Sequence, residues 1–144
     1  VHKKTLTYLH LPPNADLPAL ADIAPFQAIL LLDAAPDDID ELWRFDVCRW
    51  LVAAGCRYLL AWGTDCETWR EGVEDAALEA ADYEDVAPEQ AVLTSAHEDE
   101  ELDDVFWFAR HRAAHPGLGL ERVVIVHVAP HADRQRMLDA YDAA

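Results

Sequence analysis

Two short segments hold most of the residues whose types and spacing could do chemistry. Thr64-Asp65-Cys66-Glu67 follows the apolar run Tyr58 to Trp62, and Ser95-Ala96-His97-Glu98 follows Ala91 to Thr94. A thiol in the first turn of a helix meets the positive end of the helix dipole, which favours the thiolate. A nearby imidazole can take its proton, and a carboxylate can hold the imidazole in place. On that chemistry the catalytic candidates are Cys66 as nucleophile or redox thiol, His97 as general base, and Asp33 or Glu67 as orienter. Thr64, Asp65, Ser95 and His127 are the ligand-binding candidates, with the backbone N–H groups of the 64–67 turn facing an anion.

Plainer readings apply to the same residues. Asp65 and Glu67 flank the thiol and oppose its ionisation, while the helical stripe Cys66, Trp69, Val73 predicts burial and an inert cysteine. Both segments also have the capping-box pattern, Thr64 with Glu67 and Ser95 with Glu98, each cap contributing about 1 kcal/mol to a helix end. His127, inside Val124-Ile125-Val126-His127-Val128, reads as a hydrogen-bonded histidine at a strand end. Asp33, Asp65 and Glu67 are a conceivable magnesium set, and Cys66, His97 and His127 a zinc set. Neither has a diagnostic spacing, and no Lys or Arg stands at the turns 33–37, 63–67 or 94–98 to assist phosphoryl transfer. No metal is therefore expected, and the sequence names no cofactor.

The elements that must position these residues follow from hydropathy. Thr5 to Leu11 alternates loosely and predicts an edge strand before Pro12-Pro13, and Leu17 to Ile23 leaves room for one or two helical turns. Phe26 to Leu32 is a continuous run, apolar but for Gln27 and with no polar alternation, as in a strand covered on both faces. Pro36 at a first helical position, the acids behind it and Gly55 as the stop frame a first helix. Arg57 to Trp62 is the next strand. Its helix carries Cys66, Trp69, Val73, Ala77 and Ala80 on one stripe. Ala91 to Thr94 predicts a short strand, with a helix entered at Ser95 that bears Leu102, Val105, Phe106 and Ala109 and leaves Trp107 and Phe108 beside the stripe. Arg122 to Val128 is β-branched, and Ala132 to Tyr141 can close the chain with a helix.

Strand and helix alternate throughout, which implies right-handed crossovers and a mainly parallel sheet of four to five strands between helix layers. The fold class is α/β: a single three-layer α/β/α domain, broadly similar to Rossmann-like and flavodoxin-like domains. Residues 1–25 supply an N-terminal edge strand and proline-rich arm to a domain over 26–144. By analogy with flavodoxin-like sheets, the core strands are expected in the order second, first, third, fourth, with the N-terminal strand at an edge. That likeness carries no residue-level function.

With 144 residues, the chain is long enough for one core without staples. Its formal charge of -17 repels phosphate backbones and anionic membranes, so neither nucleic acid nor a membrane is expected as a ligand. The apolar runs are too short to span a bilayer, and Val1-His2-Lys3-Lys4 does not open a secretory leader. Three cysteines without a CxxC pair suggest free thiols in a cytoplasmic protein. The expected function is a small acidic binding or regulatory module, adaptor-like or immunity-like, acting through a protein partner or by self-association as a homodimer. The alternative is a Rossmann-like enzyme, a thiol-dependent hydrolase or redox protein, built on Cys66 and His97.

Overall fold

In the computed structural model, which describes residues 4–20 and 22–144, the chain runs through β1 (Thr5–Leu11), β2 (Phe26–Leu32), α1 (Glu41–Ala54), β3 (Cys56–Gly63), α2 (Cys66–Ala80), β4 (Leu93–His97), α3 (Leu102–His111), β5 (Arg122–Val128) and α4 (Arg134–Ala143). The start of the chain, read above as leaderless, has residues 1–3 outside the described residues, as is Ala21 of the expected turn over 17–23; residues 15–20 carry no helix. No helix among the described residues is long and apolar enough to cross a membrane.

All five strands are parallel and lie in the order β1-β5-β2-β3-β4. The α/β class and the edge position of β1 agree with the sequence; the expected order of the core strands does not. β2 pairs with β3 and β5 rather than with β3 and β4, and β4 forms the far edge. Burial explains the arrangement. Every residue of β2 is buried, and β5 is buried from Val123 to Val128, so these two strands take the centre. β4, with Thr94, Ser95 and His97, takes an edge where polar groups can reach water. Fully burying each Leu, Ile or Val of the two central strands contributes roughly 1.5–3 kcal/mol, which makes this pair the anchor of the sheet.

Helices α1 and α2 cover one face, packing on Leu30, Leu59, Ala61 and Val126, and α3 and α4 cover the other, packing on Ile29, Leu60 and Ile125. Helix α1 starts later than Pro36 suggests. Residues 36–38 make only a 3₁₀ turn, Ile39 is extended, and the Asp40 side chain caps the helix by accepting from the Leu42 N–H at 2.9 Å. Asn14 holds that entry in place, donating to the Asp38 carbonyl and accepting from the Asp40 N–H. Gly55 ends α1 in the left-handed conformation, as read from the sequence.

Neither expected capping box forms. The N-cap of α2 is Asp65, left-handed at φ 58°, with no side-chain cap, so Thr64 is one position too early and Glu67 turns instead to Arg70. Ser95 lies inside β4, because the strand runs on to His97 to match β3 as far as Trp62, and α3 begins only at Leu102.

Candidate functional site

Parallel pairing brings one residue from each strand into a row across the sheet. At the carboxyl end, on the face of α3 and α4, that row reads His10, His127, Leu31, Trp62, His97. The row before it reads Tyr8, Ile125, Ile29, Leu60, Ser95. Titratable groups thus collect at the two flanks of the sheet, separated by Leu31 and Trp62.

The first group surrounds His127, which is 1% exposed. The Asp133 N–H donates to the Tyr8 hydroxyl at 3.0 Å, and Tyr8 donates onward to His127 Nδ1 at 2.7 Å. This leaves the proton of neutral His127 on Nε2, which has no hydrogen-bond partner and lies 3.7 Å from Asp33 Oδ2. His10, with its ring 6.3 Å away, is tied to the Ala129 carbonyl at 2.7 Å. Burial pushes the His127 pKa below its ordinary 6.5, outweighing the opposing pull of Asp33. The unfolded chain therefore binds the proton more readily, so stability should fall as the pH drops below about 6.5 and level off once the folded-state pKa is passed. His127→Phe should flatten this acid slope in urea unfolding measured at pH 7.5, 6.5 and 5.5. An unchanged slope would show that the imidazole titrates as freely in the fold as in the open chain.

The second group sits on edge strand β4. Ser95 and His97, two apart, point to the same face. The Ser95 hydroxyl lies 2.9 Å from His97 Nε2, and His97 Nδ1 lies 2.5 Å from Glu100 Oε2. The His97 ring is only 5% exposed and rests against Phe108 of α3 at 4.9 Å between centroids. Trp62 pins the turn that carries Glu100, its Nε1 donating to the Glu100 carbonyl at 2.7 Å.

Cys66 approaches the backbone of His97 but not its imidazole. The thiol belongs to the layer between the sheet and α2, where it meets the His97 main chain, while the ring projects to the α3 side. Burial raises the Cys66 pKa, and the neighbouring carboxylates Glu98 and Glu67 push in the same direction, so the helix dipole does not yield a thiolate. Cys48 and Cys56 are also buried, each with its pKa pushed up to about 12. Asp33 meets His127 rather than His97, and Glu67 is an exposed partner of Arg70. Thr64 and Asp65 line a cleft of about 200 Å³ on the opposite face, with Thr68, Arg44 and Trp69. The structure thus gathers Ser95 with His97, Asp33 with His127, and Thr64 with Asp65, in three separate places. The Cys66 thiol stays apart from both histidine rings.

Sequence reading missed Glu100, Tyr8, His10 and Asp133. Glu100 stands three residues after His97, a spacing that reaches back across a turn, but the segment looked like a helix entry. Tyr8 and His10 alternate on one strand face, and only the adjacency of β1 and β5 brings them to His127.

At the amino end of β3 and β4 lies a larger groove of about 680 Å³ between the second half of α2, the 81–92 connection and the start of β4. Leu78 and Val86 line it at 50% and 42% exposure, with Ala77, Val92 and Leu93. Glu74, Glu84 and Arg57 stand at its wall, Glu79, Asp82, Asp85 and Glu89 are exposed nearby, and no Lys or Arg occurs between residues 71 and 90. Among the described residues no group of His, Cys, Asp and Glu is arranged to hold a metal ion. Comparison with curated proteins returns no match. A family model described as a domain of unknown function, DUF7684, matches residues 6–144, nearly the whole sheet and all four helices, and the chain belongs to that family.

Proposed function

We propose that the protein is an acidic binding module whose α2–β4 groove takes a basic, amphipathic segment of a protein partner. The observation that carries this reading is an apolar floor, Leu78 and Val86 among alanines and Leu93, inside a rim where acids outnumber the one lining cation, Arg57. Exposed apolar surface rimmed by polar groups is characteristic of interaction sites. Apolar side chains in the floor supply affinity, while the rim steers a positively charged partner and repels an acidic one. Self-association through this face is disfavoured for the same reason, since two such rims would oppose like charges. Nucleic acid and anionic lipid are poor ligands on the same electrostatic ground. A reducing cytoplasm suits the three unpaired thiols.

The test is fluorescence anisotropy with an amphipathic Leu/Lys/Arg peptide, its scramble of equal charge, and a Glu-for-Lys version. The amphipathic peptide should bind best and weaken with salt. Leu78→Glu and Val86→Glu, both at exposed positions, should each weaken it at least about tenfold without changing the circular dichroism, since a buried apolar contact is worth about 1.5–3 kcal/mol. Equal binding of the scramble, or wild-type affinity in both variants, overturns the reading.

A further inference from the structure

The Ser95, His97 and Glu100 side chains are not among the residues that line the groove, although Thr94 beside Ser95 is. Ser95 is the only serine in the chain. Its hydroxyl is 2.9 Å from His97 Nε2, and the opposite ring nitrogen is 2.5 Å from the Glu100 carboxylate. A hydroxyl, an imidazole that can accept its proton and a carboxylate that orients the imidazole are the three parts of a nucleophile relay, recognised by geometry rather than by sequence order. Exposure is graded to suit that use. The imidazole is buried under Phe108, whereas Ser95 is half-buried on an edge strand of the sheet.

We propose that Ser95 is an activated nucleophile for acyl transfer from small carboxylic esters, with His97 as general base and Glu100 as the residue positioning the imidazole. Ser95 Oγ attacks the ester carbonyl carbon as its proton passes to His97 Nε2. The carbon–oxygen bond to the leaving alcohol breaks, and that alcohol departs with the proton. Water, deprotonated by His97, then cleaves the acyl–serine ester, releasing the carboxylic acid and restoring the hydroxyl. Glu98, Asp99, Glu101, Asp103 and Asp104 crowd the same turn, so the substrate class is neutral or cationic esters rather than anionic ones.

The experiment treats the full chain with a neutral fluorophosphonate, which forms a serine–phosphorus bond and expels fluoride, and reads the adduct by intact and peptide mass. In parallel, hydrolysis of p-nitrophenyl acetate is followed. One adduct per chain, on Ser95, is expected, absent in Ser95→Ala and in urea-unfolded protein. Glu100→Gln, a change at an exposed side chain, should slow labelling about tenfold or more, and Glu100→Asp should restore part of the rate, because the imidazole needs a carboxylate to orient it. A helix or strand defect alone would not be relieved by returning a carboxylate at this position. The proposal is overturned if folded protein acquires no adduct on Ser95, if ester hydrolysis survives Ser95→Ala, or if Glu100→Gln leaves the rate unchanged or Glu100→Asp recovers none of it.

Discussion

Gly63→Ala should lower the melting temperature by about 10 °C, the largest effect expected from adding one carbon to this chain. Gly63 ends β3 at φ +105°, a conformation that residues with a Cβ rarely adopt. A Cβ there would sit 2.2 Å from the Leu32 carbonyl oxygen and 3.0 Å from its carbonyl carbon. Neither atom can retreat. The Leu32 carbonyl accepts the Thr64 N–H at 3.0 Å, and β2 is clamped between β3 and β5. The left-handed backbone costs roughly 1–2 kcal/mol for an L-residue, and the clash with main chain adds at least as much, giving about 3 kcal/mol or more. That is a large share of the roughly 5–15 kcal/mol by which a domain is stable, yet it leaves the fold formed. Gly119→Ala is the control, since nothing lies within 4 Å of the added carbon and its φ is not positive. Thermal melts of the two variants should differ by nearly the full shift. If Gly63→Ala melts like Gly119→Ala, the β3–α2 turn is looser than its hydrogen bonds indicate.

That turn also shows which parts of the architecture were readable in advance. β2 and the run Val123 to Val128 announced themselves because a strand covered on both faces is almost wholly apolar, with Gln27 and His127 as the exceptions, and Gly55 because a helix stop needs the left-handed region. The capping boxes misled because Thr-x-x-Glu and Ser-x-x-Glu fit strand ends as readily as helix starts. What decided between them was the length of a neighbour: β3 extends to Gly63, so β4 continues through Ser95 to His97. Strand order was written in the contrast between mostly apolar β2 and β5 and half-polar β4, but an analogy with another sheet overrode that contrast. The site suffered most from this. With β5 beside β1, His127 meets Tyr8 and His10; with β4 at the edge, His97 turns to Ser95 and Glu100. The pairing of Cys66 with His97 placed two groups at neighbouring strand ends correctly but took no account of the sheet face, which alternates residue by residue.

Alternation also decides what α3 contributes to stability. Phe106→Ala should cost about 3–5 kcal/mol and at least about 10 °C of melting temperature, because Phe106 is fully buried and meets Tyr141 of α4 edge-on at 5.8 Å. Truncation leaves a cavity between two helices that are already fixed to the sheet by Val105, Ala109 and Met137, so collapse into the space is limited. Trp107 is the larger side chain and the immediate neighbour, yet Trp107→Ala should cost about 1 kcal/mol or less. Trp107 is 45% exposed, and its ring lies against His111 and Arg112, solvent-facing groups at its own helix end. Two aromatics one residue apart thus differ severalfold in their contribution because one faces α4 and the other faces water. Urea unfolding of the pair is the decisive measurement. Equal losses would mean that Trp107 is covered in solution by a surface that the isolated chain does not supply.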